Sequence, residues 1–147
     1  MKAAKRIVHP TDFSPSAEPA FAYALESAKR DGAELILVHV LEPVAPFVDD
    51  VYMARAALLI EAAMESARHS LDALLARAKD AGVVASDVIV AGIPADTIVT
   101  LANERGADHI VMGTHGRTAM KRLFLGSVAQ RVTALASCPV VVIRNPG

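Results

Sequence analysis

Residues 109–132 read HIVMGTHGRTAMKRLFLGSVAQRV, and this stretch decides the fold class. It begins with an apolar run typical of a buried strand and ends with the apolar spacing of a helix. Between them lie Gly113, Gly116 and Gly126, with Ser127 directly after. Glycine lets the backbone approach a ligand closely, and the leading N–H groups of a helix have no partner inside that helix. The stretch therefore predicts an anion site of the kind that holds phosphate, with glycines that serve only the turns as the alternative.

The same strand-then-helix pattern recurs along the chain. Short apolar runs such as 35–38 and 140–143 alternate with segments of helical spacing. Runs of this length that are apolar throughout are typical of strands covered on both faces. The pattern predicts an α/β fold with one domain, 1–147, in which helices cover both faces of an open, twisted, five-stranded parallel sheet of Rossmann-like type. Ligands of such sheets bind beyond the carboxyl ends of the strands.

Periodicity and helix-ending residues give approximate bounds for nine elements. The predicted strands are 5–9, 34–40, 83–91, 109–113 and 140–143. The predicted helices are 17–30, 52–81, 94–105 and 127–136, and the first three end at Gly32, Gly82 and Gly106. The long second helix is expected to be amphipathic, with Leu58 and Leu71 in its apolar repeat.

Charge is distributed unevenly although the net charge is only −1. The first 108 residues hold ten Lys or Arg against 16 Asp or Glu, a balance of −6, and the rest of the chain holds five Lys or Arg and no carboxylate side chain. Three of these cations, Arg117, Lys121 and Arg122, lie between the last two glycines of the opening stretch. Charge-assisted contacts there would stabilise a bound polyphosphate by about 1.5–3 kcal/mol each. A solvated basic face is the alternative for any one of them.

Composition disfavours several classes of function. No run of about 18 apolar residues is present, so a membrane-spanning helix is not expected. The near-neutral charge and the absence of Trp disfavour nucleic-acid binding. Cys138 is the single cysteine and is expected to be a packed thiol, with a redox switch as the alternative. A cytoplasmic location is expected because no disulfide framework or apolar signal region is present. The five histidines lack the spacing of a protein metal site.

Three motifs together resemble those of a known family. They are Pro10-Thr11-Asp12-Phe13-Ser14, Gly113-x2-Gly116-x9-Gly126-Ser127-Val128 and Cys138-Pro139-Val140-Val141-Val142-Ile143. With the long second helix, they resemble the universal stress protein family over essentially the whole chain, and more narrowly its ATP-binding branch. The resemblance implies that ATP is bound, with Mg²⁺ carried in by the triphosphate.

The resemblance also implies a binding site built from the motif positions. Asp12 would accept hydrogen bonds from ribose hydroxyls, the backbone of Val40 would meet adenine, and Ser127 would contact phosphate. The full implied set is Pro10, Thr11, Asp12, Val40, Met112, Gly113, Gly116, Arg117, Gly126, Ser127 and Val128. No catalytic residue and no protein metal ligand is implied.

Local structure offers alternatives for several of these side chains. Asp12 can form an Asx-turn, in which its carboxylate accepts the N–H two residues ahead, and this is compatible with a binding role. For Ser127, the alternative is that it caps the helix and takes no part in binding. Ser14 or Ser16 can cap the first helix.

The last predicted strand, Val140–Ile143, would leave a bare apolar edge. The family's dimers pair across this strand, so a homodimer is expected.

The chain is expected to be a cytoplasmic, ATP-binding regulatory protein of stress adaptation. A protein partner that the sequence does not identify would recognise its nucleotide-bound state. One alternative is a slow ATPase or phosphotransferase, since the lysine of a Walker A loop is absent. Another is a dimeric interaction module that binds another nucleotide.

Overall fold

The computed structural model describes residues 3–43, 50–114 and 125–145. The strands are β1 (Arg6–Pro10), β2 (Glu34–Leu41), β3 (Ala85–Ala91), β4 (His109–Gly113) and β5 (Val140–Ile143). They form a parallel sheet in the order β3-β2-β1-β4-β5. The helices are α1 (Glu18–Asp31), α2 (Asp50–Asp80), α3 (Pro94–Glu104) and α4 (Ser127–Leu135), with a 3₁₀ turn at Pro15–Ala17. The predicted five-stranded α/β fold is confirmed.

Two helices cover each face of the sheet. Ile7 of β1 is fully buried in a cluster with Phe21 of α1 and Leu71 of α2. The next residue, Val8, points to the opposite face and packs in a second cluster beneath α3 and α4. Successive residues of a strand face opposite sides, so a strand covered on both sides has no position for a solvated side chain. This explains the continuous apolar runs of the central strands.

The helix ends follow the predicted glycines, and some strand bounds shift by one or two residues. Left-handed backbone conformations occur at the three predicted glycines, Gly32, Gly82 and Gly106. β3 begins at Ala85 rather than at residue 83, because the Val83 N–H donates to the Ala78 carbonyl at the end of α2 (2.9 Å).

Helix α2 is much longer than the strands it covers. Its 31 residues span about 46 Å, whereas the seven residues of β3 span about 23 Å. It runs antiparallel to β3 and ends beside the start of that strand, so its N-terminal half extends past the carboxyl end of the sheet. Leu71 in the C-terminal half is fully buried, but Leu58 is 66% exposed. The two leucines of the predicted apolar repeat therefore differ in burial, and Leu58 does not pack against the core.

Among the described helices, none is both long enough and apolar enough to traverse a lipid bilayer.

Candidate functional site

The order of the strands reverses between β1 and β4. From β1 the chain moves outward to β2 and β3, and then crosses back to place β4 on the other side of β1. β1 and β4 are paired, with Val8 beside Ile110. Their continuations lead toward helices on opposite faces of the sheet, which opens a crevice at their carboxyl ends. This is the position at which open α/β sheets bind ligands.

Hydrogen bonds within the turn and to strand β2 hold the turn that follows β1. The Thr11 N–H donates to the Val38 carbonyl of β2 at 2.8 Å, which ties the turn to the sheet. The Phe13 N–H donates to Thr11 Oγ1 at 3.1 Å, and the Ser14 N–H donates to Asp12 Oδ1 at 2.9 Å. The last bond is the Asx-turn that the sequence offers as an alternative for Asp12. It fixes the carboxylate at the carboxyl edge of the sheet.

The turn is also supported by His39, which lies on the neighbouring strand β2. Its Nδ1 is 2.8 Å from the Thr11 carbonyl oxygen, so Nδ1 carries the proton and donates it. The ring of Phe13 packs on the imidazole with centroids 4.6 Å apart. Phe13 has a φ of 64°, a conformation that is rare for an aromatic residue. The spacing of the histidines does not reveal this role; its sequence signal is a lone polar residue in an apolar strand.

His9 is fully buried on β1, directly before the turn. Its Nδ1 lies 2.8 Å from the Val111 carbonyl, and its ring packs near Phe21, with centroids 5.9 Å apart. Burial lowers the pKa of His9 from 6.5 to about 4, so the imidazole is neutral at pH 7. Both strand histidines therefore act through main-chain contacts. The described residues contain no cluster of three His, Cys, Asp or Glu side chains that would hold a metal ion.

The start of α4 forms the other side of the crevice. Its N-cap is Gly126, which has an extended conformation and no side-chain capping bond. The Gly126 N–H donates to the Thr114 carbonyl at 2.6 Å, and the Thr114 N–H donates to the Ile143 carbonyl at 3.2 Å. These bonds join the helix start to the ends of β4 and β5. The N–H groups of residues 127–129 have no partner inside the helix. Ser127 is the first helical residue and not the N-cap, so the alternative that it serves as a cap is wrong.

Ser14 also lacks the helix-capping bond that the sequence predicts for it. It occupies the N-cap position of the 3₁₀ turn that leads into α1, but its side chain makes no capping bond. Its hydroxyl oxygen is buried and has no hydrogen-bond partner within the part of the chain that the structure describes. Because it is two residues from Asp12, this hydroxyl is a further polar group of the turn, although the sequence predicts it only as a helix cap.

The predicted site residues within the described ranges come together at one edge of the sheet. Pro10 and Gly113 end the paired strands β1 and β4. The side chains of three members pack into the core beneath α3 and α4, namely Val40, Met112 and Val128. Two members lie outside the described residues, namely Gly116 and Arg117.

A cavity of about 610 Å³ lies at the opposite end of the sheet. It is lined by Lys5, Arg6, Gly32, Glu34, Val84, Gly106 and Asp108. The Asp108 carboxylate accepts the backbone N–H groups of Arg6 at 2.9 Å and Lys5 at 2.7 Å, and these bonds lower its pKa. The carboxylate thus fastens the start of β1 to the segment before β4. The amino ends of the strands are also far from the point where strand order reverses, so this cavity is not the candidate site.

Comparisons with known proteins agree with the fold. A model of the universal stress protein family matches residues 3–144. The chain is 38% identical over 142 residues to universal stress protein MJ0531 of Methanocaldococcus jannaschii, which covers 97% of this chain and 83% of that protein. The solved structure of MJ0577 from the same organism is 30% identical, with a TM-score of 0.84, and the match covers 100% of this chain and 99% of that one.

Two other similar structures contain nucleotides. One is a universal stress protein in complex with cAMP, which is 27% identical over 97% of this chain and 98% of its own, with a TM-score of 0.70. The other is the universal stress protein from Archaeoglobus fulgidus in complex with dAMP, which is 25% identical over 98% of this chain and 100% of its own, with a TM-score of 0.66. Since the family model spans nearly the whole sequence and the sheet has the same architecture, the chain belongs to the universal stress protein family.

Proposed function

We propose that the crevice between β1 and β4 binds an adenine nucleotide, namely ATP with Mg²⁺, and that the protein is a cytoplasmic regulator of stress adaptation that responds to this nucleotide. The observation that carries the proposal is the meeting of two chemically different groups at the point where strand order reverses. One is the fixed carboxylate of Asp12, and the other is the N-terminus of α4, which no side chain caps. The similar proteins solved with cAMP and dAMP support an adenine nucleotide.

Each side of the crevice suits one part of the nucleotide. A carboxylate oxygen accepts hydrogen bonds from hydroxyl groups, as the ribose of adenosine would provide. The N–H groups and the dipole at the start of α4 favour negative charge, as phosphate would provide. When ATP is bound, its phosphate oxygens and waters supply the ligands that Mg²⁺ prefers. Because the chain lacks a Walker lysine, we propose regulation by binding rather than by rapid hydrolysis.

Gly126→Val tests the phosphate side of the site. Gly126 has φ −62° and ψ 158°, a conformation that valine adopts readily, so the variant is expected to fold. The added side chain would stand where phosphate approaches the N–H groups of α4, and we expect ATP affinity to fall at least tenfold, about 1.4 kcal/mol, in calorimetric titration. Ala136→Val is a matched control, because Ala136 lies at the other end of α4 with φ −65° and ψ 141°. Unchanged affinity in folded Gly126→Val would refute the assignment.

The cAMP and dAMP complexes favour a second candidate, an adenine nucleotide with a single phosphate. Titrations with ATP, ADP, AMP and cAMP distinguish the two, and mass spectrometry of the denatured protein identifies any nucleotide that copurifies. Tightest binding of ATP supports the proposal. Tighter binding of AMP or cAMP keeps the nucleotide site but contradicts the role of the triphosphate.

We further propose a homodimer that pairs through the edge strand β5. Among the described elements, β5 is paired only with β4. The carbonyls of Pro139 and Ile143 accept the N–H groups of Ile110 and Thr114, so they point toward β4. Alternate residues of a strand point their backbone groups to opposite sides, so those of Val142 point away from β4. A second β5 strand would pair with these outward groups and remove the apolar edge.

A further inference from the structure

The N-terminal half of α2, residues 50–66, carries an unusual amount of exposed apolar surface; we call this half the overhang. Ala56 is the one buried residue that the structure describes in it. Six large apolar side chains in the overhang are between 42% and 68% exposed: Val51, Met53, Leu58, Leu59, Ile60 and Met64. A helix that is apolar on all sides is typical of a buried helix, not of one that stands in water.

The exposed side chains lie on two sides of the overhang. Met53, Ile60 and Met64 continue the buried stripe formed by Ala67 and Leu71, at spacings of seven, four, three and four residues. The face that packs on the sheet therefore runs on past the end of the sheet. The other side of the helix carries Val51, Leu58 and Leu59, since each residue turns the helix by about 100°. The apolar surface thus follows the length of the overhang, which suits an elongated partner.

The size of this surface can be compared with the apolar part of a stable protein interface. Six side chains of this kind, about half exposed, present on the order of 600 Å² around the helix, so each side presents about 300 Å², the size of the largest apolar patch on many monomers (roughly 300–600 Å²). A standard interface buries about 800 Å² on each partner, of which about 60% is apolar. One side of the overhang can therefore supply about half of the apolar area that one partner of such an interface needs.

The charges of the overhang favour a second copy of the same helix as the occupant. Asp50 and Arg55 lie near its start, and Glu61 and Glu65 lie near its end. A twofold axis near Leu59 would bring Arg55 of each copy level with Glu61 and Glu65 of the other. A parallel arrangement would place like charges side by side. We infer that the overhang of α2 is a contact surface for a second copy of this chain, with the two helices antiparallel.

This contact is separate from the dimer proposed at β5. α2 packs against β3 and β2 at one edge of the sheet, whereas β5 forms the opposite edge. The two contacts can therefore operate together and would assemble dimers into larger species. The inference about α2 rests on neither nucleotide binding nor pairing of β5.

Sedimentation velocity of the full chain between about 1 and 100 μM tests the contact. The measurement is made in a Val142→Pro background, so that the remaining association reports on α2. We expect a dimer there, and about hundredfold weaker association when Leu58→Glu and Leu59→Glu are added, because each change places a charge where an apolar side chain would be buried. Both leucines are more than 60% exposed, so the fold should persist, as checked by circular dichroism.

Val84→Glu is the matched control, because Val84 is 74% exposed but lies at the other end of the sheet. It should leave the association unchanged. An equal mass for the leucine double variant and its parent at every concentration would overturn the inference. A lipid surface would replace the second copy as the partner if both proteins were monomeric and only the parent bound phosphatidylcholine–phosphatidylserine vesicles.

A charge exchange tests the antiparallel orientation. In the same background, Arg55→Glu should weaken the association about tenfold. Adding Glu61→Arg and Glu65→Arg should restore it, because the opposite charges again face each other across the twofold axis. Failure of the triple variant to associate better than Arg55→Glu alone would overturn the antiparallel pairing.

Discussion

At the scale of single residues, two buried histidines stabilise the strands that lead into the crevice. His9 donates its Nδ1 proton to the Val111 carbonyl, and His39 donates its own to the Thr11 carbonyl. A buried polar group left without a partner costs about 1–3 kcal/mol, so each bond offsets part of the cost of burying an imidazole. The position of the Asp12 turn thus depends partly on a side chain of the neighbouring strand.

The burial of His9 predicts a loss of stability in mild acid. Its pKa is about 4 in the folded protein against 6.5 for an exposed histidine, so the unfolded chain binds the proton more tightly. The free energy of unfolding is therefore unaffected above about pH 6.5 and falls as the pH drops toward 4, by about 3 kcal/mol in total. Urea denaturation at intervals between pH 7.5 and 4.5 measures this slope.

His9→Asn is the control for this prediction, because the amide nitrogen of asparagine takes the place of Nδ1 but does not titrate. The variant loses packing against Phe21 and is expected to be less stable at every pH. Burial also lowers the pKa of the half-buried His109, which contributes a slope of the same sign in both proteins. The comparison is therefore the difference in slope between pH 6.5 and 4.5, and equal slopes would contradict the role of His9.

Asp12 is predicted to have two separable roles, one in the turn and one in binding. Asp12→Asn keeps an oxygen that accepts the Ser14 N–H but removes the charge and replaces the second acceptor with a donor. We expect the melting temperature to stay within a few degrees while ATP affinity falls about tenfold. Asp12→Ala should lower both quantities. Wild-type affinity in Asp12→Asn would show that the carboxylate serves the turn alone.

At the scale of elements, α2 is a helix with an anchored half and an exposed half. Leu71 and Ala78 pack fully into the core, and Arg77 makes a two-pronged ion pair with Glu18 of α1 (3.0 and 2.6 Å). The Arg77 guanidinium also lies over the Phe21 ring, 4.5 Å from its centroid. Both partners of the ion pair are about half exposed, so it contributes at most about 1 kcal/mol. Most of the anchoring therefore comes from apolar burial.

Truncation of one leucine measures this anchoring. Leu71→Ala leaves a cavity where the side chain is completely buried, and we expect the free energy of unfolding to fall by about 3 kcal/mol. Leu135→Ala is the matched control at the end of α4, where the leucine is 46% exposed, and it should cost under about 1 kcal/mol. Urea denaturation gives both values. Similar losses in the two variants would contradict the anchoring role of Leu71.

At the scale of the whole molecule, strand order decides which loops can form a site. β1 and β4 are about one hundred residues apart in sequence, yet they are neighbours in the sheet. The carboxyl termini of parallel strands all lie at the same end of the sheet, so the turn after β1 and the start of α4 face the same crevice. The two edge strands of the described sheet, β3 and β5, lie on its opposite sides.

A single proline substitution separates pairing across β5 from the stability of the sheet. The backbone groups of Val142 point away from β4, so Val142→Pro removes a donor from the outer edge and none from the β4 ladder. We expect the variant to fold and to lose the β5 contact, so that its mass measured by light scattering is half that of the wild-type protein. Val141→Pro would instead disrupt the bond to β4 and lower stability. An unchanged mass in folded Val142→Pro would contradict pairing through β5.

The sequence predicts much of this architecture because its signals are local. Short apolar runs, helical spacing and the glycines at 32, 82 and 106 are read from neighbouring residues, and the element bounds they predict differ from the structure by at most two residues. The expected pairing of the edge strand and the identity of the ligand stay predictions. The exposure of Leu58 has a geometric reason, because Leu58 lies about 140° around the helix from Leu71, on the side that faces away from the sheet.

The sequence by itself determined the fold class, the helix ends and the family motifs, because each depends on the conformational preferences and polarity of adjacent residues. Only the tertiary structure decided that His39 supports the Asp12 turn, that Gly126 and not Ser127 caps α4, and that half of α2 stands beyond the sheet. These features depend on the order of the strands and on the relative lengths of packed elements, which arise from contacts between residues far apart in the chain.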